Sequence, residues 1–102
     1  MSTTPAYALI TVKITDSEAF KAYMAAAPAS IAACGGEYLV RGGAFETVEG
    51  DWNPARITVL RFPSMERAKA WYHGDAYTQA RGFRAGATEY FNVTLVEGYA
   101  PV

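Results

Sequence analysis

The chain has 102 residues, 51% of them hydrophobic, and a net charge of −1 from nine Lys and Arg against ten Asp and Glu. That is the size of one domain with ample apolar material for a core, and without the basic excess that phosphate-backbone binding needs, so no nucleic-acid partner is expected. No apolar run approaches the length of a membrane span, and a single cysteine, Cys34, excludes an internal disulfide framework and fits a reducing, cytoplasmic compartment.

Residues 1–5 read as a tail without the basic and apolar regions of a signal peptide, and 6–102 as a single domain. Residues 7–14 (YALITVKI) alternate as a strand does, with Ala8, Ile10, Val12 and Ile14 on one face and Tyr7, Leu9, Thr11 and Lys13 on the other. Thr15-Asp16-Ser17-Glu18 has capping-box spacing with Thr15 as the cap, and Ala19, Phe20, Tyr23 and Ala27 form the buried stripe of the helix that follows. Pro28 predicts a kink or restart in that helix, and Gly35-Gly36 a stop. Residues 37–41 (EYLVR) form a second strand, bent or bulged at Gly42-Gly43 and resumed over 44–49. A turn at 50–54 leads into a third strand, 55–62 (ARITVLRF). Ser64 caps a helix that closes at His73-Gly74, and Asp75 caps another, with Ala76, Ala80, Phe83 and Ala87 at helical spacing. Residues 89–97 (EYFNVTLVE) are the last strand. The order β-α-β-β-α-β, with both helices broken, is that of a ferredoxin-like α+β fold with a four-stranded antiparallel sheet.

In such a fold both helices cover one sheet face. Matching the apolar sets places Ala8, Ile10, Val12, Ile14, Ile57, Val59, Phe91, Val93 and Leu95 on the helix side. Tyr7, Leu9, Thr11, Arg41, Thr58, Leu60, Phe62, Tyr90, Asn92, Thr94 and Val96 then share the other face. This second set is too apolar to be left to water and too polar for a dry core, which predicts a homodimer of facing sheets. A wet interface and a small-molecule pocket at the dimer seam are both compatible with that composition.

Few side chains offer chemistry. His73, the one histidine, falls in the last turn of a helix, where positive charge complements the dipole, and reads as a surface residue. One His and one Cys cannot build a metal site, and no cofactor fingerprint is present. Cys34 sits at a helix C-terminus, the wrong end to activate a thiolate, and reads as a small buried apolar residue. Arg41 and Arg56 are the candidates for holding a carboxylate, enolate or phenolate, against the alternative of a structural pair with Glu37, Glu49 or Asp51. Thr11 and Asn92 supply polar groups on the mixed face. Trp71, Tyr72 and Tyr77 cluster around Gly74 with Arg81 close by, as packing or as ligand walls. Trp52 lies in the turn before the third strand, over a sheet edge or as a lid.

Four stretches, EYLVRGG at 37–43, EGDWNPAR at 49–56, FPSMERAKAWY at 62–72 and LVEG at 95–98, together resemble the domain-of-unknown-function family 1330. The family's recurring positions carry over as Arg41, Gly42, Gly43, Gly50, Trp52, Pro54, Arg56, Phe62, Pro63, Ser64, Trp71, Tyr72, Tyr77 and Arg81. His73-Gly74-Asp75-Ala76 departs from the serine or aspartate and proline associated with the family between the half-helices. The resemblance implies the dimeric α+β barrel superfamily, which includes cofactor-free monooxygenases, muconolactone-isomerase-like proteins, ethyl-tert-butyl-ether-degradation-type proteins and haem-degrading enzymes. Haem is disfavoured by the position of His73, and no cofactor is expected. Two readings follow. One is a binding protein or cofactor-free enzyme for a small anionic or aromatic molecule at the dimer seam; the other is a non-catalytic dimeric module with a filled interface.

Overall fold

The computed structural model describes residues 4–99, so residues 1–3 of the expected tail lie outside the described residues. The elements run β1 (Ala6–Ile14), α1 (Ser17–Ala33), β2 (Glu37–Arg41), β3 (Arg56–Phe62), α2 (Met65–His73), α3 (Asp75–Gly82) and β4 (Thr88–Glu97). The strands form one antiparallel sheet in the order β2-β3-β1-β4, the ferredoxin-like arrangement. No helix among the described residues is long and apolar enough to cross a membrane.

Helix α1 starts one residue later than the capping box predicts. Asp16, in an extended conformation, accepts the amide of Ala19 at 3.1 Å, while the amides of Thr15 and Asp16 both donate to the Ala87 carbonyl. Pro28 does not restart the helix, which continues through it to Ala33. Only the second helix is broken. At that break a Cβ on Gly74 would meet the Ala70 carbonyl oxygen at 2.7 Å, so the chain turns where only glycine fits. Gly74, not Asp75, takes the N-cap position of α3. Ser64 caps α2 as expected, accepting the Arg67 amide at 3.1 Å.

Register decides which residues face the helices, because antiparallel partners share a face. Ala6, Ala8, Ile10 and Val12 of β1 are buried and lie opposite Phe62, Leu60, Thr58 and Arg56. On the β4 side Ala8, Ile10 and Val12 face Leu95, Val93 and Phe91. The expected assignment holds for β1 and β4 and is reversed for β3. Thr58, Leu60 and Phe62 point inward, whereas Ile57, Val59 and Arg61 stand opposite Thr11, Leu9 and Tyr7 on the outer face. Residues 44–49 are not a strand; β2 ends at Arg41 and an irregular connection follows.

The core under α2 and α3 is aromatic. Trp71 is 1% exposed, with its ring centroid 4.3 Å from Tyr77 and 5.2 Å from Phe62. Its indole N–H donates to Ser30 Oγ at 3.2 Å, and Ser30 in turn donates to the Ala27 carbonyl at 2.7 Å, so the buried polar atoms are matched.

Candidate functional site

Arg41 ends β2 and Arg56 opens β3, so the two arginines bracket the connection 42–55, which is exposed except at Pro54. Both were expected on the outer face, and both point inward. For Arg56 the reason is the β3 register, which sets it opposite Val12. For Arg41 it is a bulge: Tyr38 pairs with Leu60 and Val40 with Val59, leaving Leu39 as an extra residue. One extra residue switches every following side chain to the other face, so Arg41 pairs with Thr58 on the helix side.

The two guanidiniums lie at the rim of a crevice between α1 and the sheet. Its walls are apolar, built from Val12, Phe20, Ile31, Leu60 and Phe91, with Tyr23, Tyr38 and Thr58 as its other polar groups. The cavity volume is about 30 Å³. That is room for about two waters, so only a small group enters without movement.

Each arginine is held by a specific local device. Pro28 has no N–H to give to the carbonyl of Met24, four residues earlier, and Arg41 Nη2 donates to that carbonyl at 3.1 Å instead. The Arg41 guanidinium also lies 4.6 Å from the centroid of the Tyr38 ring. Arg56 lies against Gly42, whose φ of +69° favours glycine and where a Cβ would fall 2.5 Å from the Arg56 Cζ. Glu37 does not pair with Arg41; it reaches Arg61 at 3.5 Å on the outer face. Among the described residues neither Arg41 nor Arg56 has a carboxylate partner.

The phenols around the crevice stay protonated. Burial pushes Tyr38 above its ordinary value, with Arg41 and then Arg56 pulling back against it. Tyr23 is pushed up much further by burial, reinforced by the neighbouring Tyr77 phenol to which it is hydrogen bonded at 2.7 Å. Arg84, just beyond α3, stacks 3.7 Å above the centroid of Phe91 and 5.6 Å from that of Tyr23.

The other candidate residues fall in three separate places. Trp71 and Tyr77 fill the core, and Tyr72 packs edge-on against Trp71 while its hydroxyl accepts from Arg81 Nη1 at 2.7 Å. Thr11 and Asn92 form a cross-strand pair on the outer face, with Asn92 Nδ2 donating to Thr11 Oγ1 at 3.3 Å. Trp52 is 59% exposed in the 42–55 connection, which is tied down by Gly42 N donating to the Ile57 carbonyl and by Ala55 N donating to the Tyr90 hydroxyl. His73 is exposed, and Cys34 is half-buried at the C-cap of α1. Tyr38 is a crevice residue absent from the sequence-based candidates, since its inward position depends on a register no local pattern reveals. Tyr23 was expected only as core.

The fold and crevice define a ferredoxin-like α+β domain with a cation-rimmed cleft between its long helix and its sheet. The chain belongs to the family described as Domain of unknown function (DUF1330), whose model matches residues 5–99. No curated protein matches it. Among solved structures it is similar to a protein of unknown function from Rhodopseudomonas palustris, with 18% identity, a TM-score of 0.75, and coverage of 96% of this chain and 85% of that one. A dimeric ferredoxin-like protein of unknown function from Thermobifida fusca has 11% identity and a TM-score of 0.62, covering 93% and 92%. SnoaB, a cofactor-independent oxygenase from Streptomyces nogalater, has 10% identity and a TM-score of 0.53, covering 100% and 98%. At these identities the likeness is one of fold.

Proposed function

We propose that this protein is a homodimer in which each subunit binds a small anionic molecule, with an apolar or aromatic body, at the mouth of the crevice between α1 and the sheet. The observation that carries this reading is the pair Arg41 and Arg56, two guanidiniums without a carboxylate partner among the described residues at the rim of an apolar cleft. Guanidiniums so placed bind carboxylates and enolates by charge-assisted hydrogen bonds, and the apolar walls strengthen that attraction. Where the bound molecule is an enolate or phenolate, the same cations hold the charge on which cofactor-free chemistry depends. SnoaB, described as a cofactor-independent oxygenase, shares the fold.

The dimer is supported by the outer face of the sheet. With β3 in its observed register that face carries Ile57 and Val59, in place of Leu60 and Phe62, beside the exposed Leu9, Val40 and Val96, so it remains an apolar surface that a second copy would cover. The Thermobifida fusca neighbour is described as dimeric. A cytoplasmic location is supported by the single free cysteine.

A second reading, a dimeric module without a ligand, is favoured by the small cavity volume. Native mass spectrometry of freshly purified protein separates the two. We expect a dimer carrying a small anion, and a dimer without it in the variant Arg41→Ala/Arg56→Ala. A dimer that carries nothing and takes up no carboxylate in titration would establish the second reading.

A further inference from the structure

Tyr23 and Tyr77 present a proton count that their mutual contact does not close. The two hydroxyls are 2.7 Å apart in the interior. Each carries one proton, so the pair has two protons to donate and one hydrogen bond between them. Tyr77 is 0% exposed, and the only acceptor it reaches among the described residues is Tyr23. Were Tyr23 the donor, the Tyr77 proton would be stranded in a fully buried position. The arrangement that strands none there has Tyr77 donating to Tyr23.

The proton left over then belongs to Tyr23, which is 7% exposed and lines the crevice. Two other polar side chains lie near this phenol: Arg84, a guanidinium that only donates, and Tyr38, which makes no hydrogen bond to it among the described residues. The Tyr23 O–H is therefore a buried donor without a protein acceptor, in the same crevice that Arg41 and Arg56 rim. Burial holds the phenol in its protonated form, which keeps it a donor across the neutral range.

We infer that the crevice selects a short oxo acid, with its carboxylate on Arg41 and Arg56 and its carbonyl oxygen accepting from the Tyr23 hydroxyl. This rests on the anion-binding reading above and adds the second contact. A plain carboxylate meets the arginines and leaves the Tyr23 proton unpaired. An acid with a carbonyl further along the chain satisfies both ends. Sites built to hydrogen-bond a ligand group discriminate against analogues that lack it, because the protein group is then left unmatched. The cavity volume of about 30 Å³ limits the buried part of the ligand to a few atoms.

The test is calorimetric titration of the full-length protein with pentanoate, 2-oxopentanoate and 4-oxopentanoate. At least one oxo acid should bind about tenfold tighter than pentanoate, as one added buried hydrogen bond supplies. In Tyr23→Phe that ratio should fall to about one, and in Tyr77→Phe it should persist, since Tyr23 keeps its proton. Tyr23→Phe leaves the Tyr77 hydroxyl stranded and could unfold the protein. Tyr23→Phe/Tyr77→Phe strands nothing and should also lose the oxo preference. Equal binding of all three acids by the wild type overturns the inference while leaving the arginine site intact. So does an oxo preference that survives in the double variant. Failure of every acid to bind overturns the anion-binding reading and this inference with it.

Discussion

The inner face of the sheet is covered in two different ways. Beneath α2 and α3 it is closed: Trp71, Phe62 and Tyr77 interlock, and Gly36 packs so tightly that a Cβ there would lie 2.5 Å from the Phe62 ring. Beneath α1, beside β2, the same face stops short of being filled and ends in two guanidiniums without carboxylate partners among the described residues. Both regions are apolar, so hydrophobic burial alone does not distinguish them. What separates them is polar matching. The closed region gives its buried indole N–H to Ser30, whereas at the open one the Tyr23 and Tyr77 hydroxyls hold two protons and make one hydrogen bond between them. A cleft that keeps unmatched donors and cations beside an apolar wall is costly as a core and useful as a binding site.

The largest effect should come from breaking the closed region. Trp71→Ala removes a fully buried ring and should cost about 3–5 kcal/mol, a large part of the stability of a domain this size. Met24→Ala, at a half-buried position lining the crevice, should cost about 1 kcal/mol, because the space around it is already incomplete. Urea unfolding at fixed protein concentration measures both. Equal losses would mean that the crevice is ordinary core.

The contrast also explains what was legible in the sequence. Element order, the Ser64 cap and the glycine at the break between α2 and α3 are local signals, and each was readable without the fold. The site was not, because it depends on parity. In β3 both alternating sets contain large apolar residues, Ile57 and Val59 on one side and Leu60 and Phe62 on the other, so the pattern could not choose between them. Both faces of this sheet carry apolar residues at β3, and a period of two carries no sign when both faces take apolar residues. The bulge at Leu39 has no glycine or proline to mark it, while the Gly42-Gly43 pair, which begins three positions on, points to the wrong place. A single uncounted residue moved Arg41 from the outer face to the crevice. Residue type was enough to pick out the two arginines; position required the register.

An effect of intermediate size is expected from alkali. Tyr23 and Tyr38 both have folded-state pKa values raised above the ordinary 10.0, chiefly by burial. A raised value means that the unfolded chain loses these protons first. The stabilisation is therefore fully present below pH 10 and declines as pH rises beyond it. In Tyr23→Phe the decline above pH 10 should be shallower than in the wild type, read from urea midpoints at several alkaline values. An unchanged slope would place the Tyr23 phenol in contact with water and remove it from the buried boundary between the two regions.

A small gain in stability, and the most informative change, is expected at Pro28. A proline inside a helix removes one hydrogen bond and crowds the carbonyl of the preceding turn, at a cost of about 3 kcal/mol in an otherwise sound helix. Here the freed carbonyl, that of Met24, is taken by Arg41 at 3.1 Å, which recovers part of that loss. Proline also restricts the unfolded chain, which offsets more of it. Pro28→Ala should therefore stabilise the protein by only about 1 kcal/mol. It also returns a helix N–H to the Met24 carbonyl, which then competes with Arg41 for its one acceptor among the described residues, and carboxylate affinity should fall by a factor of about five to ten, as expected for one hydrogen bond. A helix that becomes firmer while its crevice binds less would show that the break in the α1 ladder exists to hold Arg41. If stability rises and affinity does not move, the proline is merely tolerated and the rim of the crevice is positioned by Tyr38 and Gly42 alone.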